Sequence, residues 1–261
     1  MTGVEPLLLS DTALMNLIGQ YSIPFARISS LLMVMPMIGA RMVSPRIRLL
    51  LAVMIAVVSA PMLPAFAVPP LLSPAWLLVL ASEICIGVAA GFLLQLFQQI
   101  FVLAGQFMAM KMGLGFASMN DPANGVQTTV LSQYFMMLTT LLFAVSGGHL
   151  IVIQALIESF TTLVPGVGLD RDAWYTLVSL GSWLFAAALV LSLPVMISLM
   201  VVNAVFGVMS RSAPQLNIFA LGFPLTLIAG MIIVYISLTA IVAQFNMLFA
   251  ETLQLLNDLL R

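Results

Sequence analysis

An all-α, polytopic membrane-type fold of at least six long, bent helical segments is what this sequence predicts, and three observations predict it. Of the 261 residues, 62% are hydrophobic and only 7% charged, where a soluble domain carries about a quarter. Several apolar runs exceed the roughly 20 residues that span a bilayer. Prolines, glycines and most of the few charges gather at the breaks between those runs. So little polar material does not cover a globule of this length, which excludes an ordinary soluble enzyme. The net charge of −1 offers no basic face for nucleic acid, so membrane lipid is the expected surround.

The runs follow in order. The first covers about 12–40, interrupted by Pro24 and Arg27 and ended by Pro36-Met37-Ile38-Gly39. A second, about 47–66, stops in the cluster Pro61, Pro64, Pro69, Pro70 and Pro74. A third runs from Trp76 to about Met112, far longer than one span, and a Gly/Asn/Asp-rich stretch from Gly113 to Gly125 closes it. The fourth, about 127–160, reads as one segment and is followed by the turn Pro165 to Asp172. The fifth, about 174–209, contains Pro194, where a kink is expected. After Ser210 to Asn217 the sixth extends from Ile218 nearly to Arg261. The turn near 165–173 is the best division of the chain, with four segments before it and two after.

Charge placement suggests a topology. Arg41, Arg46, Arg48, Lys111 and Arg211 flank alternate connections, whereas the opposite set holds only Arg171 between two aspartates. The excess of Lys and Arg assigns the first set to the cytoplasm and both termini to the other side. Glu5 and Asp11 precede the first run where a secretory signal has basic residues, so that helix is expected to be retained. The lone cysteine, Cys85, forms no intrachain disulfide. A single histidine and scattered carboxylates give no metal cluster, and no cofactor is expected.

Arg27 and Glu83 lie inside apolar runs, where a charge costs roughly 2.5–3.5 kcal/mol at the bilayer centre on insertion scales, so both must face protein or water. Two roles are open to them, a relay or substrate site and an Arg–carboxylate pair locking neighbouring helices. Gly87 and Gly91 form a small-xxx-small pair that permits close helix approach, as do Ala109 and Gly113. The stretch from Gly113 through Gly115, Phe116 and Met119 to Asn120-Asp121-Pro122 reads either as a surface loop or as an apolar-tipped loop beside a pore. The 19 methionines fill a core or form a deformable seal. Ser146-Gly147-Gly148-His149 has no nucleophile elbow, and Asp170 has no second aspartate in an apolar run, so hydrolase readings fail. His149 is expected to cap or pack near a helix bend.

In their order the motifs resemble the FliR family of type III export-gate proteins over more than 200 residues. They are Phe25-Ala26-Arg27, Pro36-Met37-Ile38-Gly39, Pro45-Arg46-Ile47-Arg48, Glu83 with Gly87 and Gly91, the 113–122 stretch, and Gly148-His149. Most specific is Arg211-Ser212-Ala213-Pro214-Gln215-Leu216-Asn217 leading to Gly222-Phe223-Pro224-Leu225-Thr226. The end of the chain is closer to the flagellar branch than to the injectisome one.

The resemblance implies a non-enzymatic structural and gating subunit of the flagellar export gate. Such a subunit joins FliP and FliQ, with FlhB and FlhA nearby, to form a channel for unfolded flagellar substrates. The gate sits in the bacterial inner membrane, at the flagellar basal body, raised towards the periplasm, and partner proteins supply the energy. It implies a FliP-like four-helix unit at 1–165 and a FliQ-like hairpin at 166–261. It implies further that Gly113, Gly115, Phe116 and Met119 belong to a loop that plugs the channel below a methionine ring contributed mainly by FliP. Arg211, Pro214, Gln215 and Asn217 are then a family-motif turn. The injectisome counterpart is an alternative. A small secondary transporter with a site near Arg27 and Glu83 is another, although the inverted repeats and broken helices of transporters are not seen.

Overall fold

A computed structural model describes residues 11–39, 43–64, 66–114, 129–212 and 218–261. Among these residues seven α-helices follow one another: α1 (Asp11–Val34), α2 (Pro45–Ser59), α3 (Pro74–Lys111), α4 (Val130–Val145), α5 (Gly148–Thr162), α6 (Arg171–Ser212) and α7 (Ile218–Leu259). A single 3-10 turn, Ala60–Met62, extends α2. The all-helical reading of the composition therefore holds. Five helices are long and apolar enough to cross a membrane, and α4 with α5 makes a sixth candidate if the bent pair is taken as one span.

Local chemistry sets the ends. Ser44 stands before Pro45, its Oγ accepting from the Ile47 amide, so α2 begins with a cap and a proline at a position whose N–H is unneeded. Thr129 caps α4 by accepting from Ser132 N. Asp170 Oδ1 accepts from Ala173 N at 2.7 Å at the start of α6. At the end of α1, Pro36 forbids continuation, Met37 takes a left-handed φ of 71°, and Gly39 N donates back to Met35 O at 2.7 Å.

The fourth apolar run corrects the expectation of a single segment. It breaks at Ser146-Gly147 into α4 and α5. Gly147 has φ 66°, a left-handed conformation available to glycine without cost to a side chain, and it begins α5. His149 falls in the first turn after the bend. The first run likewise ends as helix at Val34 and not near residue 40. The fifth continues as one helix through Pro194.

The chain divides into two compact units whose borders fall inside α3, α6 and α7 and at the break between α4 and α5, and each draws on both sides of residue 165. One comprises residues 1–95, 147–177 and 253–261. Its core is built from α1, the first half of α3 and α5, with Ile23, Leu31, Leu32, Ile86, Val152 and Phe160 buried. Near the end of α5, Thr162 Oγ1 donates to Leu260 O at 2.7 Å.

The other unit comprises 96–146 and 178–252. Its centre is aromatic: Phe97, Phe101, Phe143, Phe245 and Phe249 meet with ring centroids 5.4–5.9 Å apart. Gly105 packs directly on Ser132 and Phe135, and Gln106 Oε1 accepts from Thr129 N and Ser132 Oγ, joining α3 to the start of α4. At the end of α3 the buried Met112 fills the space a side chain at Gly230 would need.

Much apolar surface stays uncovered within the chain. Only 17% of an 18-residue apolar window of α7 is buried, against 50% of that in α1. For a monomer in water such exposure is untenable; lipid or partner protein must cover it.

Candidate functional site: a buried arginine joining three helices

Arg27 is the most polar group in the core, with its side chain fully buried. It lies midway along α1, where the apolar periodicity turns it inward with Ile23 and Leu31. Nε donates to Glu83 Oε2 and Nη2 donates to Glu83 Oε1 at 3.1 Å, the fork geometry in which guanidinium and carboxylate match. Glu83, on α3, is equally buried.

Two further acceptors come from α5. Nη1 donates to Ser159 Oγ at 2.9 Å and Nη2 to Leu163 O at 3.0 Å. Leu163 is the residue that ends α5, so its carbonyl is one of those a helix end leaves unpaired. The Phe160 ring lies 4.0 Å from the guanidinium carbon and presents its π face to the cation. Ser159 Oγ donates onward to Leu156 O at 2.6 Å. The charge is thus matched, hydrogen-bonded and sealed from solvent, and one side chain ties α1, α3 and α5 together. Removing one partner would strand the other at about 3–5 kcal/mol.

The α1–α3 crossing continues from this point. Glu83, Gly87, Gly91 and Gln95 recur every four residues and share one face of α3. A Cβ on Gly87 would fall on Ser30 Oγ and on the Arg27 carbonyl oxygen; one on Gly91 would lie 2.7 Å from Val34 Cβ. Both glycines therefore let the α3 backbone rest on α1, and that closeness brings Glu83 within reach of Arg27. Gln95 Nε2 closes the row by donating to Val34 O at 2.9 Å, the last helical carbonyl of α1.

Residues 18–252, a span that includes the whole of this row, match the family model described as bacterial export proteins, family 1. The chain belongs to that family. Among individual relatives of this export-family chain, the flagellar biosynthetic protein FliR of Escherichia coli is 39% identical over 243 residues, covering 92% of each chain. That of Pectobacterium carotovorum is 34% identical, covering 95% of each. FliR of Bacillus subtilis is 25% identical over 95% of this chain and 97% of its own length.

The other site expectations for this family member divide sharply. Gly113 lies in the turn after α3 with φ 85°, while Gly115, Phe116 and Met119 lie outside the described residues. Arg211 is in the last turn of α6; Pro214, Gln215 and Asn217 are outside the described residues. Glu158, a further carboxylate near the end of the fourth apolar run, is exposed and makes no ion pair with Arg27. His149 lies just past the bend, half-buried, with its Nδ1 shielded and without a hydrogen bond among the described residues. Met35, Met108 and Met112 are core residues, while Met33 and Met110 face outward.

Sequence reading missed Ser159, Phe160, the Leu163 carbonyl and Gln95. A serine or a glutamine in an apolar helix has many structural uses, and a backbone carbonyl carries no sequence signal. The one available cue was the four-residue repeat Glu83, Gly87, Gly91, Gln95.

Proposed function

We propose that this chain is a structural and gating subunit of the flagellar type III protein export gate. It assembles with FliP and FliQ, next to FlhB and FlhA, in the bacterial inner membrane at the flagellar basal body. Unfolded flagellar proteins are its cargo, and it performs no chemistry of its own. Residues 1–165 act as a FliP-like unit and 166–261 as a FliQ-like hairpin.

One observation carries this reading: similarity to flagellar FliR proteins covers most of the chain, 92% of each chain at 39% identity for one of them. Physical support comes from the uncovered apolar surface of α7, which suits a subunit enclosed by siblings. The flagellar assignment is preferred to the injectisome one because the relatives described above are flagellar. A role as a small-solute transporter is disfavoured because four donors of Arg27 are already taken by protein acceptors.

Within the gate, Arg27 and Glu83 lock helices, Gly87 and Gly91 set their spacing, and the connection carrying Gly113, Gly115, Phe116 and Met119 plugs the channel. An apolar tip on glycine hinges blocks ions yet yields to a polypeptide. The turn carrying Arg211, Pro214, Gln215 and Asn217 joins α6 to α7. Co-expression with FliP and FliQ in mild detergent tests the assembly: a hetero-oligomer is expected, and a monodisperse monomer that moves a small solute in vesicles overturns the reading. Deleting 113–119 in the assembled gate should raise ion leak. Unchanged conductance overturns the plug.

A further inference from the structure

Helix α2 leaves much of its surface open. Met54, Val58 and Met62 are 59%, 69% and 78% exposed and, spaced four residues apart, form one ridge along the α2 face and its 3-10 extension. Leu150, Ile153 and Ile157 of α5 form a second ridge, and the two line a groove of about 590 Å³. Two ridges of two to three turns are the surface into which a further helix packs. Methionines along one wall let the seat adapt to its occupant.

Among the described residues the groove has one charged group. Glu158 belongs to its lining together with Gln154 and Ser59. The carboxylate is exposed, and Oε1 accepts from Gln154 Nε2 at 2.8 Å, which orients it without neutralising it. A helix laid in the groove would take that carboxylate out of solvent, which is costly unless a cation arrives with it. A hydrocarbon tail would satisfy the ridges and leave the charge unpaired.

A second copy of this chain does not supply the cation from within an apolar helix. Of its eight Lys and Arg residues, only Arg27 lies deep inside an apolar run, and it is buried and engaged. Among the described residues the others lie near helix ends or at the chain end, and Arg41 falls in the sequence break after the first apolar run.

We propose that the α2–α5 groove seats an apolar helix of a different subunit, carrying a Lys or Arg that pairs with Glu158. This deepens the export-gate reading and rests on it for the existence of a multi-subunit assembly. The test places a photoreactive phenylalanine analogue at Val58 in the full chain, co-expressed with its partners, and maps the adduct.

One adduct is expected, to an apolar helix of another protein that bears a basic residue. Glu158→Lys should lower co-purification of that protein about tenfold or more, and an acidic substitution of the mapped base should restore it. Adducts to lipid alone, to a second copy, or to a helix without a base overturn the proposal, as does Glu158→Lys with undiminished recovery. The cross-link is read in a chain with Glu158 intact, so misfolding of the charge variant does not obscure it. If FliP and FliQ co-purify but Val58 reaches only lipid, the groove assignment falls and the gate reading stands. If they do not co-purify at all, the gate reading itself fails.

Discussion

The two units reach a buried core by opposite means. In the first, α1, α3 and α5 are tied by a guanidinium whose partners number a carboxylate, a hydroxyl, a carbonyl and a ring. In the second, five phenylalanines fill the centre and a methionine fills a glycine notch. Aromatic packing gives energy through area and tolerates small shifts, because many weak contacts share the load. A buried ion pair gives little net energy and demands one geometry. The difference teaches that burial alone does not make two helical cores equivalent: the first specifies which helices meet, and the second chiefly fills space.

The sharpest way to break this contrast is Arg27→Ala, which leaves Glu83 buried and alone. A loss of about 3–5 kcal/mol is expected, read as a lowered thermal midpoint and reduced assembly. The double substitution Arg27→Met with Glu83→Leu should recover most of that loss, because it removes both charges. Equal damage from the double variant would mean the pair is not acting as a unit.

Next in size is Gly87→Ala. Its methyl meets the Arg27 carbonyl oxygen, backbone that has nowhere to go, so about 1–3 kcal/mol is expected in the same thermal measurement. In the second unit, Phe245→Leu keeps a large apolar side chain but removes ring contacts to Phe97, Phe101 and Phe249. It should cost at least about 0.5–1.5 kcal/mol, the part beyond area burial. The smallest effect belongs to Gly230→Ala, whose methyl meets the Met112 side chain from Cγ to Cε and no backbone; the repacking cost is partly offset by alanine's helix preference over glycine, and a loss below about 1 kcal/mol is expected. Equal costs at Gly87 and Gly230 would erase the distinction between the units.

These variants also mark what the sequence made legible. The long third helix, expected from Trp76 to about Met112, spans Pro74–Lys111, because unbroken hydrophobicity leaves the backbone no alternative inside an apolar surround. Arg27 and Glu83 stood out as charges with no reason to be in their runs. Their companions did not, since Ser159 looks like any serine and Leu163 contributes only its carbonyl. A bend was expected beside His149, but the break into two helices at Gly147 was not, because both arms are apolar and a single glycine in a helical run is often tolerated. The aromatic cluster was hidden for another cause: Phe97 and Phe245 are 148 residues apart, and no local period links them.

The Arg27 network has a temporal side as well. As the ribosome delivers the chain, Glu83 is made 56 residues after Arg27, but Ser159 and Leu163 follow 132 and 136 residues after it. At about 5–20 residues per second, the guanidinium waits several seconds with only its carboxylate for company. A nascent chain interrupted in that interval still lacks the Ser159 and Leu163 acceptors, so its guanidinium is only half satisfied.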